Sequence, residues 1–181
     1  MDEYIDIITE NGEKTGRTCL KSEAHKNGIL HASVHIWIFD TNKNVLIQKR
    51  AANKDTFPNL WDVSVAGHIS AGEMARVSAL REAEEEVGLT INSNQLTFLT
   101  TFRKKIHHHK NLIDFELHYI YLCEINFDID SLKLQKEEVS EIKTIKFKNL
   151  IQQVNSPNTN FVPHGAAYYE LIFNEIANYT S

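Results

Sequence analysis

Four glutamates, Glu82, Glu84, Glu85 and Glu86, crowd into five residues directly after Arg81 in the stretch "GHISAGEMARVSALREAEEEVGLT", Gly67 to Thr90. Successive helix residues turn by about 100°, so in a helix Glu82, Glu85 and Glu86 share one face while Glu84 points elsewhere. Like charges at such spacing each cost a helix roughly 0.2–0.5 kcal/mol, and no lysine stands one turn earlier to relieve them. A cation is therefore expected on that face. Hard divalent ions such as Mg²⁺ or Mn²⁺ take a few carboxylates together with substrate phosphate oxygens and water. Arg81 can pair with one of the glutamates and hold its rotamer. The competing meaning of such a run is a solvated charged helix face.

The wider spacing favours the site over the solvated face: Gly67, five residues, Glu73, seven residues, Arg81-Glu82-Ala83, one residue, Glu85-Glu86, one residue, Gly88-Leu89. This pattern resembles the signature of the Nudix hydrolases. The resemblance implies an α/β/α sandwich with a mixed central sheet, and metal-dependent hydrolysis of a diphosphate in a nucleoside diphosphate derivative or related organic diphosphate. It implies Glu82, Glu85 and Glu86 as ligands of Mg²⁺ or Mn²⁺, with Gly67 offering a backbone carbonyl and Glu73 and Arg81 supporting the helix and its glutamates. Ala83 is smaller than the aliphatic residue often found there.

A second resemblance runs from about Tyr4 to Phe147. "LKSEAHKNGILHAS", "QKRAANKDTFPNLWD" and "AGH" are similar to the Nudix-fold branch containing the type 1 isopentenyl-diphosphate isomerases. It implies a metal held by His25, His31 and His68 with Asp114 and Glu116, and a diphosphate held by Lys21, Arg50 and Lys54. Asp114 and Glu116, two apart, project to one side of a strand. Two departures point away from isomerisation. Ala66 stands where the isomerases place a catalytic cysteine, and the glutamate pattern they degrade is complete here. A hydrolase on an isomerase-like frame is expected; the alternatives are an isomerase-like enzyme and a non-catalytic nucleotide-binding module.

Further residues carry open alternatives. His25 and His31 are either ligands or backbone-satisfied turn and strand residues, and His68 starts near the glutamate stripe. Arg50 and Lys54, at a strand end and an adjacent loop, suit phosphate, Arg as a planar fork and Lys as a point charge. Trp61 is either core or an aromatic that stacks on substrate. Glu137 and Glu138 are a solvated turn or the source of a general base, with Glu138 the nominee. "HHHK" at 107–110 is expected at an exposed hairpin tip, since consecutive side chains diverge.

Elements must position these groups. "YIDIIT" and "RTCL" around an Asn-Gly turn suggest a hairpin, and "KSEAHKNG" a short helix or loop. "HASVHIWIFD" and "NVLIQKR" around "TNK" suggest a second hairpin at the sheet centre. "WDVSVAG" is a strand leading into a helix from about Glu73 to Val87, stopped by Gly88 in a left-handed exit. Met74, Val77, Ala79, Leu80, Ala83 and Val87 mostly form its sheet-facing stripe. "LTFLTTFRKKI" and "LIDFELHYIYLCEI" read as long antiparallel strands, "EIKTIKF" as another strand, "KNLIQQV" and "HGAAYYELIFNEIANY" as helices. Without strict βαβ alternation, a mixed sheet between helices is expected.

At 181 residues and 42% hydrophobic content the chain can bury one core, so a single domain over 1–181 is expected. A net charge of −5 disfavours nucleic acid and fits a small-molecule diphosphate partner. Cys19 and Cys123 lack metal or redox spacing and are expected as free thiols in a reducing cytoplasm. The acidic start "MDEYIDIITE" is not a secretory signal, and no apolar run approaches the roughly 18 residues of a membrane span. A homodimer is open, no residue marking an interface.

Overall fold

The computed structural model describes residues 2–109 and 111–180. Its spine is β3 (His31–Phe39) running parallel to β8 (Leu112–Glu124), in register from His31 opposite Glu116 to Phe39 opposite Glu124. Strand alternation sends Val34, Ile36 and Ile38 to one face of the sheet and His31, Ser33, His35 and Trp37 to the other. β7 (Leu96–His109) pairs antiparallel with β8, and β6 (Val65–His68) antiparallel with β3. β4 (Asn44–Arg50) lies between β5 (Trp61–Asp62) and β9 (Val139–Lys146), completing a seven-stranded mixed sheet. β1 (Tyr4–Ile8) and β2 (Lys14–Leu20) form the expected hairpin, which stands as a two-stranded sheet of its own, followed by α1 (Lys21–Asn27).

Helices cover both faces. α2 (Ala75–Val87) packs Ala79, Ala83 and Val87 against Val34, Ile36 and Ile38. On the opposite face α3 (Phe147–Val154) and α4 (Ala166–Asn178) bury Leu150, Tyr168, Ile172 and Ile176 against Trp37, Ile120 and Leu122. Each fully buried aliphatic side chain contributes about 1.5–3 kcal/mol. Among the described residues, no helix is long and apolar enough to cross a membrane.

Three expectations need correcting. β3 and β4 do not form a hairpin along their length: the turn is closed by Asp40, which accepts from the Asn42 and Asn44 amides, but only Phe39 and Val45 are paired. Beyond it β4 finds β9 and β5 while β3 takes β6, so the sheet parts between β4 and β6. Second, α2 starts two residues later than the spacing suggests. Gly72 adopts φ 82° and the Glu73 amide closes a turn on the Ser70 carbonyl, which leaves Glu73 outside the helix. Met74 and Val77 are 69% and 44% exposed, and Ser78, Glu82 and Glu86 take their places on the buried face. Third, the exposed tip expected at 107–110 holds for His107 and His109, which end β7 at its turn into β8, but not for His108, which is turned inward; Lys110 lies outside the described residues.

Candidate active site

A cleft of about 770 Å³ lies where β4 and β6 part. The carboxylate of Glu86 bridges the gap, accepting from Gln48 Nε2 of β4 at 3.0 Å and from the Ala66 amide of β6 at 3.1 Å. Glu82 and Glu86 are buried and Glu85 is half-exposed, and all three line the cleft. Arg81 organises them: its NH1 donates to Glu82 Oε1 at 2.8 Å and Glu85 Oε2 at 2.9 Å, and its NH2 to Glu73 Oε2 and the His68 carbonyl, each at 3.1 Å. Glu73 is thus the brace of Arg81. Burial pushes the Glu82 carboxyl up to about 7 against the pull of Arg81. Burial, with the nearby Glu82 charge, pushes Glu86 up to about 8. Two buried acids with that much resistance to ionisation beside a half-exposed third fit a divalent cation, which would stabilise their charged forms. Gly67 faces Glu82 so closely that a Cβ would lie 2.1 Å from Glu82 Cδ.

On the other side of β6 the histidines gather. One ligand atom each from His25, His31, His68 and Glu116 lie within 4.8 Å of one another. The His31 Nδ1 hydrogen bonds the Ile29 carbonyl at 2.8 Å, which leaves Nε2 with its lone pair turned inward. That Nε2 and Asp114 Oδ1 are the two sealed side-chain atoms without a hydrogen-bond partner among the described residues. His25 approaches His68 Nε2 at 3.2 Å and Asp114 Oδ1 at 3.2 Å. Burial pushes the His68 imidazole down to about 3, keeping it neutral and able to donate a lone pair. Burial alone would raise Glu116, but the His118 and His68 rings, 3.4 Å and 3.7 Å from its carboxylate, hold it well below the usual carboxylate range. The imidazoles of His31 and His68, both kept neutral by burial, beside the ionised Glu116, with the orphaned His31 Nε2 turned among them, also fit a divalent cation.

The cations expected at the diphosphate also line the cleft. Arg50 donates Nε to the Thr56 carbonyl at 3.1 Å and NH1 to Asp62 Oδ2 at 3.3 Å, which fixes its plane. Lys54 pairs with Glu138, and Lys21 lies 3.7 Å from Glu3. Glu138 is placed by the loop before β9, whose Gln135 amide caps the Glu86 carbonyl at the end of α2 at 3.0 Å. Trp61 does not join them: it is buried in the α4-side core beneath Lys143, whose Nζ lies 3.9 Å from its ring centre. The pairing of Trp61 with Lys49 on β4 sets it in that core and away from the cleft. Ala66, at the position where the isomerases carry their thiol, lines the cleft, and neither cysteine does.

A NUDIX domain family model matches residues 29–165. The chain belongs to the Nudix family. Nudix hydrolase 3 of Arabidopsis thaliana is 35% identical over 167 residues, which is 90% of this chain and 22% of that much longer protein. Isopentenyl-diphosphate Delta-isomerase 2 of Photorhabdus laumondii is 30% identical over 156 residues, 86% of this chain and 84% of the relative. A solved structure from Deinococcus radiodurans shares the fold with TM-score 0.66 at 19% identity, over 89% of this chain and 94% of that one. The family and its members make the protein a Nudix hydrolase that also has isomerase relatives.

Several cleft residues of this Nudix chain were not singled out from sequence. His108, behind the cleft-lining Asp114, bonds its Oδ2 through Nε2 at 2.7 Å, facing inward by the plain alternation of β7 after Lys104 and Ile106. Ser33, His35, Asp62, Lys104, His118 and His164 line the far end of the cleft. A signal existed for some of them: His31, Ser33 and His35 on β3, and Asp114, Glu116 and His118 on β8, are polar at a period of two within otherwise apolar strands.

Proposed function

We propose that the protein hydrolyses a diphosphate linkage in a nucleoside diphosphate derivative or related organic diphosphate, using Mg²⁺ or Mn²⁺ held by Glu82, Glu85 and Glu86. The observation that carries this is the presence, in one cleft, of Glu82 and Glu85 tied to Arg81, of Glu86 held by Gln48 and the Ala66 amide, and of Arg50 and Lys54. A divalent cation there would supply positive charge to the diphosphate and Lewis acidity toward an attacking water. Arg50 is held in plane by Thr56 and Asp62 and offers its remaining N–H groups to phosphate oxygens. Lys54 exchanges Glu138 for phosphate, which frees the Glu138 carboxylate to take a proton from water. Arg81 keeps Glu82 and Glu85 in place throughout.

The test is hydrolysis of a panel of ADP-ribose, UDP-glucose, nucleoside diphosphates and isopentenyl diphosphate with Mg²⁺ or Mn²⁺. Glu85→Gln is expected to lower kcat by about 100-fold or more with an unchanged circular dichroism spectrum. Metal-dependent turnover that survives this substitution would refute the assignment. A second activity, proton exchange on isopentenyl diphosphate, is favoured by the histidine cluster alone. Ala66 offers no proton, so deuterium exchange into that substrate is expected to be absent.

A further inference from the structure

Past the histidine cluster the same sheet face continues into a polar floor that the glutamates and the cations at the diphosphate do not use. His35 and His118 stack with ring centres 4.1 Å apart, and His164, just before α4, meets His35 edge-on at 5.1 Å. All three rings are buried within the cleft wall, and each has one nitrogen held by the protein. His35 Nδ1 lies 2.8 Å from the Tyr168 hydroxyl, which already accepts Trp37 Nε1–H at 3.1 Å. The buried phenol has no other acceptor among the described residues, so it donates to His35 and leaves a hydrogen on His35 Nε2. His164 Nε2 donates to Asp62 Oδ1 at 2.7 Å, which leaves Nδ1 as an acceptor. His118 Nδ1 is held by Ser33 Oγ at 2.7 Å.

The outward nitrogens, His35 Nε2, His118 Nε2 and His164 Nδ1, have no partner among the described residues and are not among the sealed orphan atoms. They open into the cleft. Lys104, opposite Glu116 on β7, leans over the same floor to the Pro163 carbonyl. Each such group covered without a partner costs about 1–3 kcal/mol, so an apolar chain docked here would be penalised several times over. A ligand bearing hydroxyls, which donate and accept alike, satisfies donor and acceptor together.

We propose that this floor is a specificity pocket for the hydroxyl-bearing, sugar-like end of the substrate, and that it rejects prenyl chains. The proposal names the substrate class of the diphosphate hydrolase described above and rests on that activity. Its test is calorimetric binding of ADP-ribose and UDP-glucose against isopentenyl and geranyl diphosphate, in Mg²⁺, to the slowed Glu85→Gln protein. The sugar-bearing ligands are expected to bind at least about tenfold more tightly. Lys104→Met, and separately His164→Phe, are expected to erase most of that ratio by weakening the sugar ligands while prenyl binding holds or tightens. Tighter binding of the prenyl diphosphates, or variants that weaken both classes equally, would overturn the pocket. A retained sugar preference without hydrolysis by the native protein would leave the pocket standing and remove the hydrolase activity instead.

Discussion

At the scale of single residues, Gly67 and Arg81 decide how the glutamates stand. Gly67 has an ordinary backbone conformation, and its requirement is space for Glu82. In Gly67→Ala the flexible Glu82 side chain must move aside, so the fold should survive and the site should not. Mn²⁺ affinity is expected to fall at least about tenfold, the usual penalty for disturbing a ligand's support, with a small change in Tm. An Mn²⁺ Kd within twofold of the native value would show that Glu82 is not a ligand. The grouping of the helix glutamates was legible from the whole pattern between Gly67 and Leu89, since their helical spacing alone is equally that of a solvated face. Trp61 and His108 were not. Pairing sends Trp61 to the core, and the register of β7 on β8 decides which of three consecutive histidines faces inward toward Asp114; long-range pairing of this kind is not written in local sequence.

At the scale of elements, α2 is a helix whose buried face carries acids. That is why its apolar stripe reads wrongly from sequence: Met74 and Val77 satisfy the period, but Glu82 and Glu86 claim the inward positions at the cleft. The arrangement has a pH signature. The folded carboxyls at about 7 and about 8 lie above the ordinary 4.5, so the folded chain keeps those protons longer than the unfolded one. The stability they contribute is present at low pH and declines as pH rises through their folded values. Between about pH 7 and pH 8, above the ordinary histidine range, the Tm of protein held in chelator is expected to fall. Saturating Mn²⁺, which needs the ionised carboxylates, should flatten or reverse that slope. Parallel curves with and without metal would count against Glu82 and Glu86 as ligands. The β3–β4 connection belongs to this scale too. The "TNK" turn was legible, whereas the divergence beyond it depends on β9, β5 and β6, whose pairing no local pattern announces.

At the scale of the whole molecule, the parting of the sheet between β4 and β6 brings the helix glutamates, the histidine cluster and the cations Lys21, Arg50 and Lys54 into one cleft. The class of fold, the mixed sheet between helices, followed from the order of periodic segments. The parallel pairing of β3 with β8 did not, because about seventy residues of chain separate them and parallel partners leave no turn between them to read. That pairing sets His31 beside Glu116, and so builds the histidine cluster. The most direct test is anomalous diffraction at the manganese edge from crystals equilibrated with Mn²⁺. Anomalous density is expected within coordination distance of Glu82, Glu85 and Glu86. Density confined to the histidine cluster, with those three carboxylates turned to solvent, would contradict the assignment of the helix as the hydrolytic metal site.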